Sequence, residues 1–320
     1  MRRRRPGAVA VARYDGAMPA RPTYRELPNG SAWGVFGDSD QLGCLNLLSP
    51  ERTAAAAALV RSGLLFSMNA PLDWPSPGFV GPTGTRQPPE HVRMQWPGGR
   101  DEYLDRFHPQ AGTQLDGFLH VIEPDGGRSY NGNAGGVGIE VFAQRGIAGR
   151  GVLLDLERWA AAQGERVDWL AGRAFTVEEL EACAAWERVE ITEGTILLLR
   201  VGWQSGWEAA TDDGRRAAVA VEPPVTPGLE PSLAMAERLW DWGVALVASD
   251  NPAVEVLRLD DHVLHVDLLV WLGIPLGELW LLDALAAECA AQDRYEFFVT
   301  CAPLAIRGGA GSTANALAIL

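Results

Sequence analysis

Residues 108–120 run HPQAGTQLDGFLH, a stretch that gathers two histidines, two amides and a carboxylate. Gln110, Gly112, Gln114 and Asp116 alternate, so an extended chain turns all four to one side. Fully extended, however, Gln110 and Asp116 stand about 20 Å apart, too far to share one ion. The backbone must curl, and Gly112 and Gly117 permit it. Asp116 and His120 are one helical turn apart. A strand that turns into a helix at this point aims Gln114, Asp116 and His120 at one place.

A second cluster, DDHVLH at 260–265, holds two more of the five histidines. Glu278 follows thirteen residues after His265, inside an otherwise apolar stretch from 268 to 282. A buried glutamate without a partner is costly, so a nearby cation accounts for it. The plainer reading of Asp116 and His120 is a helix cap and a satisfied core histidine. His262 stands three before His265 and shares its helical face.

Around these clusters the chain alternates short apolar runs with helical segments. Residues 151–156, 195–203, 244–249 and 297–306 fit buried strands, being too short for helices and bounded by turn residues. Residues 53–65, 176–188, 232–242 and 279–290 show helical spacing, and Thr176 with Glu179 forms a capping-box pattern. Alternation of this kind predicts an α/β fold. Residues 74–100, dense in Pro and Gly, predict a long ordered loop. The phosphate-cradling GxGxxG and GxxxxGK[ST] patterns are absent, and the glycines at 135–138 and 308–312 read as tight turns.

The net charge is −14, and four of the 27 basic residues are the run Arg2–Arg5, so the rest is more acidic still. Such a chain repels phosphate backbones, which excludes nucleic acid and anionic membranes as partners. Cys44, Cys183, Cys289 and Cys301 form no CxxC pair and read as buried reduced thiols. The apolar patch GAVAVA is too short for a secretory signal, and no uncharged apolar stretch reaches membrane-spanning length. A cytoplasmic protein is expected, with 1–25 a flexible tail and 26–320 a single domain.

The stretch QAGTQLDGFLH (110–120) resembles the HxGTHxDxPxH signature of the metal-dependent cyclase family, which includes bacterial kynurenine formamidase and isatin hydrolase. The likeness continues through WGVFGDSDQLGCLNLLSP (33–50), YNG (130–132), GVLLDL (151–156), TILLLRVGW (195–203), HVDLLVWLGIPLGE (265–278) and the C-terminal 295–320. Gln110 and Gln114 replace histidines and Phe118 replaces proline, as in a longer branch of the family. The resemblance implies a swivelling β/β/α domain with a mixed sheet core, assembled as a homodimer or homotetramer. It implies metal ligands at Gln110, Gln114, Asp116, His265 and Glu278, with His120 as general acid/base. Trp33 is implied to line the substrate pocket, and Thr113 to touch substrate or hold the ligand loop. His108 or His262 could supply an imidazole in place of those lost.

Amide oxygen is a harder ligand than imidazole, so one ion, Mn²⁺ or Zn²⁺, is expected rather than a zinc pair. The expected reaction is metal-assisted hydrolysis of a small cyclic amide, lactone or N-acyl aromatic. A cyclase, dehydratase or isomerase with the same metal is the rival, and a non-catalytic ligand-binding homologue is a third reading.

Overall fold

The computed structural model describes residues 21–81, 84–124, 126–133, 135–257 and 262–320. Its core is a nine-stranded mixed sheet. The strands are β1 (Leu65–Ser67), β2 (Gln114–Asp116), β3 (Ile147–Asp155), β4 (Ile196–Arg200), β5 (Leu246–Ser249), β6 (Leu276–Glu278), β7 (Glu296–Cys301), β8 (Gly311–Thr313) and β9 (Ala316–Ile319), in the spatial order β1-β9-β7-β3-β4-β5-β6-β2-β8. β3, β4, β5 and β6 pair in parallel, and every other pairing is antiparallel. This is the α/β, mixed-sheet architecture that the sequence predicts.

Composition explains the division. Leu153, Leu154, Leu197, Leu198, Leu246 and Val247 are fully buried. Continuous apolar runs of this kind suit parallel strands covered on both faces. Helices Val177–Glu187 and Leu233–Asp241 supply cover, each capped by the hydroxyl that precedes it: Thr176 accepts from Glu179 N and Ser232 from Met235 N. No helix among the described residues is long and apolar enough to cross a membrane.

Four local expectations are corrected. Residues 74–100 are not one loop: hairpins form from Val80–Gly81 with Gly84–Thr85 and from Glu90–Trp96 with Gly99–Asp105. The second lies largely in solvent with Met94, Trp96 and Tyr103 exposed. The alanine-rich helix spans Pro50–Ala57, starting earlier because Ser49 caps it and Pro50 occupies its first turn. The expected helix at 279–290 starts only at Asp283, because Leu276–Glu278 pairs as a strand and Leu279 then turns with φ +55°. Finally, no helix follows β2. Gly117 donates to the carbonyl of Ala310 at 2.9 Å and His120 donates back to Gly117 at 3.0 Å, so the chain makes a turn instead.

Of the tail expected at 1–25, residues 1–20 lie outside the described residues. From residue 21 the chain runs against the helix at 233–241, where Tyr24 N donates to Asp241 Oδ1 at 2.7 Å and Trp240 Nε1 to the carbonyl of Pro22 at 2.9 Å. Asp260 and Asp261 of the second cluster also lie outside the described residues. All four cysteines are buried and free.

Candidate metal centre

The end of the sheet assembles the centre. β2 lies between β6 and β8, in a register that sets Gln114 opposite Glu278 and Asp116 opposite Gly311. Residues two apart on a strand share a face, as do directly opposed cross-strand residues. Gln114, Asp116 and Glu278 therefore project together. They are also sealed from solvent: Gln114 is 1% exposed, Asp116 0% and Glu278 5%.

His265 and His120 complete the group from outside the strands. His265 precedes the irregular helix Val266–Leu272, and its Nε2 lies 3.0 Å from Glu278 Oε1. The turn after β2 brings His120 within a ring-to-ring distance of 6.1 Å from His265. One ligand atom each of Asp116, His120 and His265 falls within 4.8 Å of the others. Gln110 lies across the front: its Nε2 donates to Asp116 Oδ1 and, at 2.9 Å, to Nδ1 of His120. Gly311 makes room for it, since a Cβ there would stand 2.6 Å from Gln110 Cδ. Arg86 Nη1 donates to the carbonyl of Gln110 at 2.7 Å and fixes its backbone.

The hydrogen bonding leaves specific atoms free. Gln114 Nε2 donates to Glu278 Oε2, which fixes the orientation of the amide and leaves Gln114 Oε1 without a partner. Asp116 Oδ2 is also buried and unpartnered. Orphaned buried acceptors cost about 1–3 kcal/mol each, and a cation between them would remove that cost. A donor set of amide oxygen, carboxylate oxygen and imidazole nitrogen suits a divalent ion of Mn²⁺ or Zn²⁺ character. On these grounds the residues present fit a metal.

The electrostatics agree. Burial, followed by the neighbouring Asp116, raises the Glu278 carboxyl to about 7. Burial pulls the His265 imidazole down, but hydrogen bonds to Glu255 and Glu278 outweigh it and raise the ring well above its ordinary value. The Asp116, Glu255 and Glu278 carboxyls that contribute to these shifts crowd one buried place, and a cation there would offset their negative charge. His120 behaves oppositely: burial outweighs the pull of Asp116 and lowers its pKa, so the ring is neutral at pH 7.

The structure thus brings together Gln110, Gln114, Asp116, His120, His265 and Glu278. Gln110 presents its N–H end to Asp116 and His120, rather than an oxygen to the free acceptors. Thr113 is 6% exposed and serves as a brace, its hydroxyl donating to the carbonyl of Leu279 at 2.6 Å and accepting from Ala70 N at 2.9 Å. Trp33 has other neighbours: it donates to the carbonyl of Val270, packs on Trp271 at 5.1 Å and carries Arg128 over its ring at 4.9 Å. His108 is exposed beside a small cavity lined by Thr113 and Asn69. His262 contacts Asp267.

Sequence reading missed Glu255, which contacts His265 directly. The signal existed: a lone acid in the apolar run Ala253–Val256 invites the argument applied to Glu278. A cavity of about 520 Å³ lies away from this centre, beside Asp155, Glu157, Arg200 and Asp283. Arg200 spends its donors there on those three carboxylates at 2.6–2.7 Å.

Comparison with known proteins gives a consistent picture. Residues 66–256 match the family model described as Cyclase. A crystal structure described as that of a novel cyclase superposes with a TM-score of 0.78 at 31% identity, over 91% of this chain and 99% of that one. Isatin hydrolase A from Labrenzia aggregata, bound to benzyl benzoate, gives 0.59 at 18% identity, over 83% of this chain and 96% of its own. Isatin hydrolase A from Ralstonia solanacearum gives 0.57 at 18% identity, over 80% and 91%. At that identity the two hydrolases speak to fold. No curated protein matches the sequence.

Proposed function

Because the chain belongs to the Cyclase family, we propose that it is a metal-dependent hydrolase that opens a small cyclic amide, lactone or N-acyl aromatic substrate. The observation that carries this reading is the pair of orphaned buried oxygens, Gln114 Oε1 and Asp116 Oδ2, beside two imidazoles. A single divalent ion, Mn²⁺ or Zn²⁺, would be held by Gln114, Asp116, His265 and Glu278. When bound, such an ion acidifies water and polarises a carbonyl, the two requirements of hydrolysis.

The protein's own groups handle the proton. His120 is neutral and half-buried beside the ligand set, which lets it take up and return a proton. In the resting ring Nδ1 accepts from Gln110 and Nε2 carries the proton; a proton gained at Nδ1, in place of the Gln110 hydrogen bond, is balanced by loss of the Nε2 proton to the leaving nitrogen or oxygen. Gln110, anchored by Asp116, holds that tautomer. Arg86 holds Gln110 in turn. The burial of Gln114, Asp116 and Glu278 keeps bulk water from competing for these hydrogen bonds.

The test is a panel of cyclic amides, lactones and N-formyl anilines, assayed with added Mn²⁺ or Zn²⁺ in ¹⁸O-labelled water. Turnover with label in the product supports hydrolysis. Turnover without label contradicts it and leaves ring closure, dehydration or isomerisation.

A further inference from the structure

Behind His265 lies a carboxylate that is no part of the ligand set. Glu255 is 1% exposed. Its Oε1 accepts from Nδ1 of His265 at 2.6 Å and from the backbone N–H of His265 at 2.9 Å. Its Oε2 accepts from the N–H of Leu264 at 2.6 Å. The backbone is pinned as well: Glu255 bridges Leu229, with Leu229 N donating to Val254 and Val256 N donating to Leu229, both at 2.9 Å. Gly228 approaches so closely that a Cβ there would meet the carbonyl carbon of Glu255 at 2.6 Å. Val254 sustains φ +56° in the same turn, a conformation that β-branched residues adopt only when their surroundings impose it.

We infer that Glu255 is the positioning residue for His265: it holds the proton on Nδ1 and turns Nε2 toward Glu278 and the metal-facing group. The inference rests on the proposed function, because a positioned Nε2 matters only if a cation lies in front of it. An imidazole that ligates through one nitrogen is oriented by the hydrogen bond of the other. The carboxylate does more than orient. Asp116, Glu255 and Glu278 place three acids, none more than 5% exposed, around His265. An uncompensated excess of buried negative charge is costly, and a divalent ion offsets it.

Two roles are separable. As a helix-start brace, Glu255 need only accept from the N–H groups of Leu264 and His265, and the amide oxygen of a glutamine keeps part of that. As a positioning residue it must accept from Nδ1 too, where a glutamine N–H₂ repels the ring N–H and favours the other tautomer. The experiment is titration of chelator-stripped full-length protein with Mn²⁺ and with Zn²⁺ by calorimetry, comparing wild type with Glu255→Gln, together with ¹⁵N NMR of the His265 ring. The expected result is an affinity loss of about 10–100-fold in Glu255→Gln. In wild type, His265 is expected to bind through Nε2 with Nδ1 protonated. Wild-type binding with unchanged affinity in Glu255→Gln overturns the inference and leaves the proposed function standing. Failure of the wild type to bind either ion overturns both. Should Glu255→Gln not fold, the wild-type spectrum decides: ligation through Nδ1 overturns the assignment, and ligation through Nε2 with protonated Nδ1 upholds it.

Discussion

Gln114 and Glu278 face each other across the antiparallel pair β2 and β6, with the Gln114 N–H₂ donating to Glu278 Oε2. That contact turns the amide so that its oxygen, rather than its nitrogen, is left free and buried. One cross-strand hydrogen bond thus leaves an amide oxygen free to serve as a metal ligand. It also ties a residue of the first sequence cluster to one of the second.

Replacing the amide should change the metal. Gln114→His puts an imidazole on the same strand position, and imidazole favours Zn²⁺ over harder ions. Calorimetry should show Zn²⁺ affinity rising by about tenfold or more over wild type, with little gain for Mn²⁺. Equal gains for both ions would contradict a ligand role for residue 114.

His120 should matter to rate and not to occupancy. His120→Ala is expected to lower kcat by about 10² or more, while metal affinity stays within a few-fold. Near-wild-type turnover would remove the general acid/base role and leave the metal reading intact.

Gly311→Ala probes the support beneath Gln110. The new Cβ would press on the Gln110 amide, displacing it from Asp116 and His120. We expect kcat to fall about tenfold, with a stability loss of about 1–2 kcal/mol from overpacking. Unchanged turnover, with the variant folded, would show that the Gln110 bridge is dispensable.

Away from the centre, Glu187 makes stability depend on pH. Burial, the leading cause, raises its carboxyl to about 8, and its Oε2 has no partner. The folded state therefore holds a proton that the unfolded chain, titrating near 4.5, releases earlier. Its stabilising contribution is present below about pH 4.5 and is lost as pH rises through about 8. Asp250, raised to about 7 mainly by burial, acts in the same direction. Glu187→Gln, which cannot ionise, should raise stability above pH 8 by roughly 1–2 kcal/mol and flatten the dependence of Tm on pH. A Tm profile parallel to that of wild type would contradict the assigned shift.

How much of this was legible beforehand follows from the physics of each part. Buried parallel strands declare themselves as apolar runs, which is why 151–156 and 244–249 stand close to β3 and β5. The helix at 177–187 was marked by its cap. The candidate site was visible because amides, carboxylates and imidazoles bunch at 110–120 and again from His265 to Glu278. The curl that the spacing demands was also foreseen, although the helix expected after Asp116 proved to be a turn anchored on Ala310. The hairpins within 74–105 were hidden because proline and glycine mark turns without revealing what they join. Glu255 shows in the sequence only as a lone acid in an apolar run; its partner, a side chain ten residues on, is fixed by the fold.

The most direct test is metal content: chelator-stripped wild type, Asp116→Asn and Glu278→Gln titrated with Mn²⁺ and Zn²⁺, with stoichiometry read by calorimetry and elemental analysis. The account predicts one ion per wild-type chain and an affinity at least about 10²-fold lower in each variant. Two tightly bound zinc ions per chain, or full affinity after loss of either carboxylate, would contradict it.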